Sequence, residues 1–173
     1  DFVNKMLDYG KISCWLQTMT DRIMNEINSI MDRYEWESAQ NNTPVDGALE
    51  VLRDLRRKRL KTGLLTNNNR KSIMYLLDKY DFSRMFDAVV TRNDLADFNN
   101  LKPSPVGLNL DLTKIRVKAT ETIYVGDSVI DVKAALSVGV APIFVTAGFS
   151  TVKEVTENYP NVPVINQLRQ LLT

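Results

Sequence analysis

The sequence predicts an α/β fold: a doubly wound parallel sheet preceded by a helical segment. Three observations predict it. Short apolar runs alternate with longer amphipathic stretches from Thr43 onward, as happens when strands and helices take turns around one sheet. The run Thr122-Ile-Tyr-Val125 is brief, apolar and closed by Gly126, which suits a strand covered on both faces. Thr66, Asn67, Asp127 and Asp131 follow strands rather than precede them, and ligands of open α/β sheets bind at that carboxyl edge.

Taken in order, residues 1 to about 41 read as helical. Ile12, Leu16, Met19, Ile23, Ile27, Ile30 and Tyr34 recur at three- and four-residue intervals, with Trp15, Met24 and Met31 widening the apolar face. That periodicity predicts one long amphipathic helix whose stripe packs into a core. Phe2, Met6 and Leu7 predict a shorter helix before it, with a break near Gly10. Thr43 and Pro44 suit the N-cap and first position of a second helix, running to about Arg59 with Ala48, Leu49, Leu52 and Leu55 inward. Its basic end, from Arg53 to Lys61, reads either as a phosphate-binding patch or as a solvated face near the negative end of the helix dipole.

Thr62 to Thr66 reads as a strand, about Arg70 to Tyr80 as a helix, and Ala88 to Thr91 as a second strand followed by a polar loop from Arg92 to Leu101. Lys102-Pro-Ser-Pro105 marks an extended segment and a helix start; that helix carries Leu108, Leu110 and Leu112. After Gly126 the apolar period lengthens through Val129, Ile130, Val132, Ala134, Ala135 and Val138, which predicts a helix. A strand over 142–145, a helix over 152–159, an edge strand over 162–165 containing Pro163 and a short closing helix complete the pattern.

Composition narrows the chemistry. At 44% hydrophobic and 25% charged, the 173 residues are those of a soluble globular chain of one domain with a small appendage. A net charge of +1 gives no electrostatic case for nucleic acid or an anionic membrane as the main partner, and no apolar run is long enough to span a bilayer. The one cysteine, Cys14, excludes an internal disulfide, fits a reducing, cytoplasmic compartment, and reads as a buried small apolar residue of the first helix. There is no histidine. Ser-His-Asp and Cys-His catalysis and histidine zinc sites are therefore excluded, leaving carboxylates, lysine, hydroxyls, amides and a hard metal.

Three polar signals fall on one edge of the predicted sheet: Thr66-Asn67, Lys102-Pro103, and Gly126-Asp127 through Asp131. Singly, each has a plain reading as a turn, a loop or a helix cap. In this order, on these elements, they resemble the second, third and fourth motifs of the haloacid dehalogenase-like (HAD) superfamily of phosphohydrolases. Val138-Gly139 to Thr146-Ala-Gly148 is also similar to the segment after the fourth motif in members near phosphoglycolate phosphatase. The match covers about 43–173, and the helical start resembles part of the small helical cap of many members. The resemblance implies a Rossmann-like core over 43–173 and an incomplete cap over 1–42.

It also implies a Mg²⁺-dependent phosphatase of a small phosphorylated metabolite. An aspartate attacks phosphorus and forms an aspartyl-phosphate, so the supporting residues position groups and neutralise charge. Thr66 and Asn67 would hydrogen-bond the phosphoryl oxygens and Lys102 would add positive charge. Asp127 would ligate Mg²⁺, and Asp131 would do so through water or would orient Lys102. The sequence departs from the family at its first motif: Asp-x-Asp occurs nowhere, and Asp1-Phe-Val3 has only its first position. The strand bearing that motif belongs between those ending at Thr66 and Val125. The expectation is that this strand, the nucleophile and an early cap helix, roughly 20 to 50 residues, precede Asp1. A phosphomutase of the same fold, a dehalogenase, a non-catalytic HAD-like binding or regulatory domain and a receiver-like domain stand as alternatives. The Asp127/Asp131 pair speaks against the metal-free dehalogenase, and the motif order against the receiver.

Overall fold

The computed structural model describes residues 2–146 and 152–172. Asp1, with Ala147 and Gly148 after the fourth motif, lies outside the described residues, as do the side chains of Phe2, Met6, Leu7 and Ile12. In chain order the elements are α1 (Phe2–Asn41), α2 (Ala48–Arg57), β1 (Gly63–Leu65), α3 (Arg70–Lys79), β2 (Ala88–Val90), α4 (Pro105–Ile115), β3 (Ile123–Gly126), α5 (Val129–Ser137), β4 (Ala141–Val145), α6 (Val152–Asn158) and β5 (Val164–Ile165). Leu168–Leu172 closes the described chain as a 3₁₀ turn.

All strand pairs are parallel, as the alternation of strands and helices predicts. They form two sheets among the described residues, β1-β2 and β3-β4-β5. Leu64 lies opposite Val89, and Val125 opposite Ile143. β5 is the edge strand expected from Pro163. Helix α4 packs on β1 and β2, α5 on β3 and β4, and the two helices pack against each other. Their contact builds a core shared by both sheets from Leu65, Val90, Leu108, Leu112, Ala135 and Val140. A second cluster joins Val129, Val132, Phe144 and Val155.

The caps explain where these helices begin. Ser104 accepts from the Val106 N–H, and Pro105 follows it at the first position. Ser128 and Asp131 form a reciprocal capping box at the start of α5. Asn69 caps α3 by accepting from the Ser72 N–H at 2.8 Å.

Four expectations are corrected. First, α1 is continuous through Gly10: a helical glycine costs about 1 kcal/mol but breaks nothing when no proline or cap accompanies it. Second, the apolar stripe of α1 is not core, since Leu16, Met19, Ile23, Ile27, Ile30 and Tyr34 are all exposed. The helix docks through an adjoining face, with Ala39 buried and Met24, Asn28, Met31 and Glu35 half-buried, while Trp36 meets Tyr75 edge-on at 5.0 Å. Third, Cys14 is exposed, because residues 13–22 of α1 carry no covered side chain. Fourth, Thr43 and Pro44 do not open α2. Its N-cap is Gly47, at φ 79°, because α1 runs on to Asn41 and residues 42–47 serve as the connection. The buried residue of α2 is Val51, with the predicted inward leucines half-covered.

The basic end of α2 is a set of ion pairs. Arg57 and Lys58 reach Asp54, and Arg56 and Lys61 reach Asp87 at the head of β2. The solvated-face reading of that run is the one the geometry favours.

Candidate active site at the carboxyl ends of β1 and β3

Asn67 and Lys102 are joined at two points. The Lys102 N–H donates to Asn67 Oδ1 at 2.9 Å, and Asn67 Nδ2 donates to the Lys102 carbonyl at 3.2 Å. This clamp fixes the backbone of the Lys102-Pro103 segment against the end of β1. The ammonium then crosses from one sheet to the other. Lys102 Nζ donates to Asp131 Oδ1 at 2.7 Å, to the Tyr124 hydroxyl at 3.2 Å and to the Leu65 carbonyl at 3.4 Å. The lysine and aspartate side chains are 12% and 6% exposed, so this is a buried ion pair. Its cost of desolvation is offset only while its remaining groups stay hydrogen-bonded.

Asp131 meets that condition. Its second oxygen accepts the Ser128 N–H at 3.1 Å, and the Tyr124 hydroxyl donates to its first at 3.3 Å. The capping geometry therefore aims Asp131 at Lys102, which is the orienting one of its two expected roles. Burial, reinforced by Asp131, pushes the Tyr124 phenol well above its ordinary value, so Tyr124 acts here as a donor. At Gly126 any side chain would overlap Asp131; the strand can turn into α5 this closely only without a Cβ.

Thr66 follows β1 directly, its hydroxyl accepting the Asn68 N–H at 3.1 Å. Asp127 is half-buried after β3, and its carboxylate has no hydrogen bond or ion pair among the described residues. The structure thus brings Asn67, Lys102 and Asp131 into one bonded group, with Thr66 and Asp127 at the adjoining strand ends. Among the described residues no cluster of three or more Asp, Glu, Cys or His side chains could hold a metal ion. The donor set is one uncommitted carboxylate, which suits a cation that takes most of its oxygens from water and substrate.

Two neighbours escaped the sequence reading. Arg92, in the loop after β2, is 7% exposed and donates to Asp32, to Glu35 and, at 3.3 Å, to the Asn67 carbonyl. Glu35 also accepts the Asn69 N–H at 2.6 Å. Arg92 thereby ties α1 to the loop that holds Lys102. Its place just past the end of β2, matching that of Thr66-Asn67 past β1, is the signal that could have found it.

The other neighbour is Asp111 on α4, which alternation with Leu108, Leu110 and Leu112 disguised as a helix-face residue. It is 4% exposed, lies against Gly63, and its Oδ1 has no hydrogen-bond partner. Burial pushes its carboxyl up to about 6 from 3.8, with Lys114 opposing weakly. A proton held more tightly in the folded than in the unfolded chain stabilises fully below the unfolded pKa, and that contribution is lost as pH rises through about 6. At ~1.4 kcal/mol per unit, Asp111 should cost the fold about 2–3 kcal/mol between pH 4 and pH 8. Urea midpoints of the protein and of Asp111→Asn across that range measure it. A difference between the two that does not change with pH would refute it.

An open cavity of about 1040 Å³ lies apart from this group, lined by Arg53, Arg84 and Tyr80 among others, and it includes neither Lys102 nor Asp127.

Residues 4–145 match the family model of the haloacid dehalogenase-like hydrolases. The chain belongs to this family. Among curated members it is 30% identical over 126 residues to a phosphoglycolate phosphatase of Pseudomonas fluorescens, covering 73% of this chain and 45% of that protein. It is 28% identical over 137 residues to the phosphoglycolate phosphatase of Escherichia coli K12, covering 79% and 53%. The chain spans about half the length of the curated relatives it matches. A Bacteroides fragilis structure described as a haloacid dehalogenase-like hydrolase superposes with a TM-score of 0.75 at 26% identity, over 85% of this chain and 70% of that one. A HAD phosphatase from Thermococcus onnurineus shares the fold, with a TM-score of 0.64 at 24% identity over 82% and 63%. For this haloacid dehalogenase-like hydrolase, an α/β Rossmann-like core is therefore established. No helix of the described residues is long and apolar enough to cross a membrane.

Proposed function

We propose that this chain forms the greater part of a Mg²⁺-dependent phosphatase that hydrolyses a small-molecule phosphate monoester through an aspartyl-phosphate. The observation that carries the reading is the buried Lys102 ammonium, held by Asp131 between the carboxyl ends of β1 and β3. A fixed positive charge at that edge is what a transferring phosphoryl group requires. The Thr66 hydroxyl and the Asn67 backbone N–H are the neighbouring donors for phosphoryl oxygens. The Asn67 side chain is committed to Lys102 and acts as a clamp. Asp127 is the residue that would hold Mg²⁺, whose charge would assist Lys102 in neutralising the phosphoryl group.

The attacking carboxylate is not among these residues. We place it on a strand between β1 and β3, preceding the helical cap of 1–42. Support comes from the sheet itself: among the described residues β1 and β3 each have an unpaired edge, and Lys102 reaches Leu65 on one and Tyr124 on the other. The names of the curated relatives make phosphoglycolate the first substrate to try. The experiment is turnover of an aryl phosphate and of phosphoglycolate, with and without Mg²⁺, by the encoded protein from its initiator methionine. Turnover abolished by EDTA and reduced at least 100-fold in Lys102→Ala and Asp127→Asn is the expected result, on the order of removing one charge-stabilising group. No turnover, or turnover indifferent to both substitutions, would sink the proposal. The lack of Asp-x-Asp favours a second reading, a HAD-like binding domain without catalysis. That domain would show no rise in melting temperature with Mg²⁺ plus a phosphate mimic.

A further inference from the structure

The Tyr124 hydroxyl touches both members of the buried ion pair. It accepts from Lys102 Nζ at 3.2 Å and donates to Asp131 Oδ1 at 3.3 Å. That same oxygen accepts from Lys102 at 2.7 Å. Lysine, tyrosine and aspartate thus close a ring of hydrogen bonds, which a phenol can complete because it both donates and accepts. The ammonium lies 5.8 Å from the centre of the Tyr124 ring, near the limit for attraction to a ring face. The hydroxyl is therefore the group that holds it.

Packing gives that hydroxyl its fixed place. Tyr124 sits on β3 and lies against the core cluster that contains Leu65, Leu108 and Ala135. A tyrosine has few torsions to fix, whereas Lys102 ends in three rotatable donors on a flexible four-carbon stem. Asp131 by itself fixes where the ammonium is. A second acceptor is needed to fix which way its other N–H bonds point.

The three N–H bonds can be followed singly. One goes to Asp131, one to Tyr124, and the third to the Leu65 carbonyl at 3.4 Å, the longest of the set. The Thr66 N–H donates to Val90 on β2 at 3.0 Å. Successive residues of a parallel strand send their N–H and C=O to opposite sides, so the Leu65 carbonyl faces β3. A strand between β1 and β3 would take that carbonyl into its own ladder and leave the third N–H for another acceptor.

We infer, on the phosphatase reading, that Tyr124 is a positioning residue: its hydroxyl sets the rotation of the Lys102 ammonium, so that the third N–H points to the phosphoryl group. Without the hydroxyl the lysine stays charged and paired with Asp131, but its other donors spread over several directions. An interaction realised mainly as charge develops is lost from kcat rather than from KM.

The test is Tyr124→Phe in the encoded protein from its initiator methionine. The ring remains, so the variant should keep its circular dichroism. With an aryl phosphate, kcat should fall roughly 10- to 100-fold, as for a slightly misplaced catalytic group, while KM changes less than about threefold. Nitrogen-15 relaxation of the Lys102 ammonium, identified by its loss in Lys102→Arg, supplies a readout that a packing role would not move. Its order parameter should fall in Tyr124→Phe while those of the other lysines stay. An unchanged kcat would overturn the inference, and so would a lower kcat with an unchanged ammonium signal. A parent without turnover would instead end the phosphatase reading. The ammonium signal would then decide whether Tyr124 holds Lys102, a lower order parameter upholding it and an unchanged one overturning it.

Discussion

Lys102→Met should lower the unfolding free energy by about 3–5 kcal/mol at pH 7 in the presence of EDTA. The substitution keeps the length of the side chain and removes its charge, so the loss is electrostatic rather than a cavity. Asp131 would be left 6% exposed with no cation, and an uncompensated buried charge is destabilising by about that amount. The Tyr124 hydroxyl and Ser128 N–H would remain, which keeps the loss within this range. Lys102→Met combined with Asp131→Leu should recover more than half of it, because replacing both partners of a buried pair by apolar groups is often close to neutral. The recovery cannot be complete, since Asp131→Leu also removes half of the capping box, worth about 1 kcal/mol. Urea titrations of the four proteins close the double-mutant cycle. Simple additivity of the two single losses would show that Lys102 and Asp131 do not hold each other.

Arg92→Ala should cost a similar amount, about 3–5 kcal/mol, and its effect should be concentrated in α1. The guanidinium is 7% exposed and reaches Glu35 at 2.5 Å and Asp32 at 2.6 Å. Glu35 is itself largely covered, with a side chain 14% exposed, so truncating the arginine leaves its carboxylate with the Asn69 donors and no cation. Asp32 is 54% exposed, and Asp32→Asn should change stability by under ~1 kcal/mol. Arg92→Lys should rescue little: an ammonium cannot divide its donors between two carboxylates and the Asn67 carbonyl as a planar guanidinium does. Amide hydrogen exchange provides the local readout. Protection should fall over Asp32 to Ala39 in Arg92→Ala while β3 and β4 stay protected. Uniform loss across the chain would show that α1 is not anchored through this residue.

The motif residues were legible because each stands beside a signal that needs no partner. Thr66-Asn67 follows an apolar run, Lys102 precedes Pro103, and Asp127 follows Gly126. Ser128 and Asp131 have the spacing of a capping box, which is local chemistry. What spacing could not show was that the cap aims Asp131 at a lysine 29 residues away in sequence. Arg92 and Glu35 were hidden for the same reason. They are 57 residues apart; Glu35 looks like its neighbours, and only the place of Arg92 just past the end of β2 sets it apart. Asp111 was hidden by its company, since a carboxylate between leucines on a helix normally faces water.

The first helix shows the opposite failure. Its periodicity predicted an amphipathic helix, and the helix is there. Periodicity says that a face is apolar; it does not say what covers it. The docked face of α1 was chosen by Glu35, Trp36 and Ala39 meeting α3 and Arg92, and the more apolar stripe was left outside. By itself, the sequence determined the order of strands and helices and the carboxyl-edge position of Thr66, Lys102 and Asp127. These depend on interactions between near neighbours in the chain. Only the tertiary structure decided that Lys102 spans β1 and β3, that Arg92 locks α1 beside it, and that the stripe of α1 faces out. Those outcomes depend on burial and on charges brought together from distant positions, for which no local pattern exists.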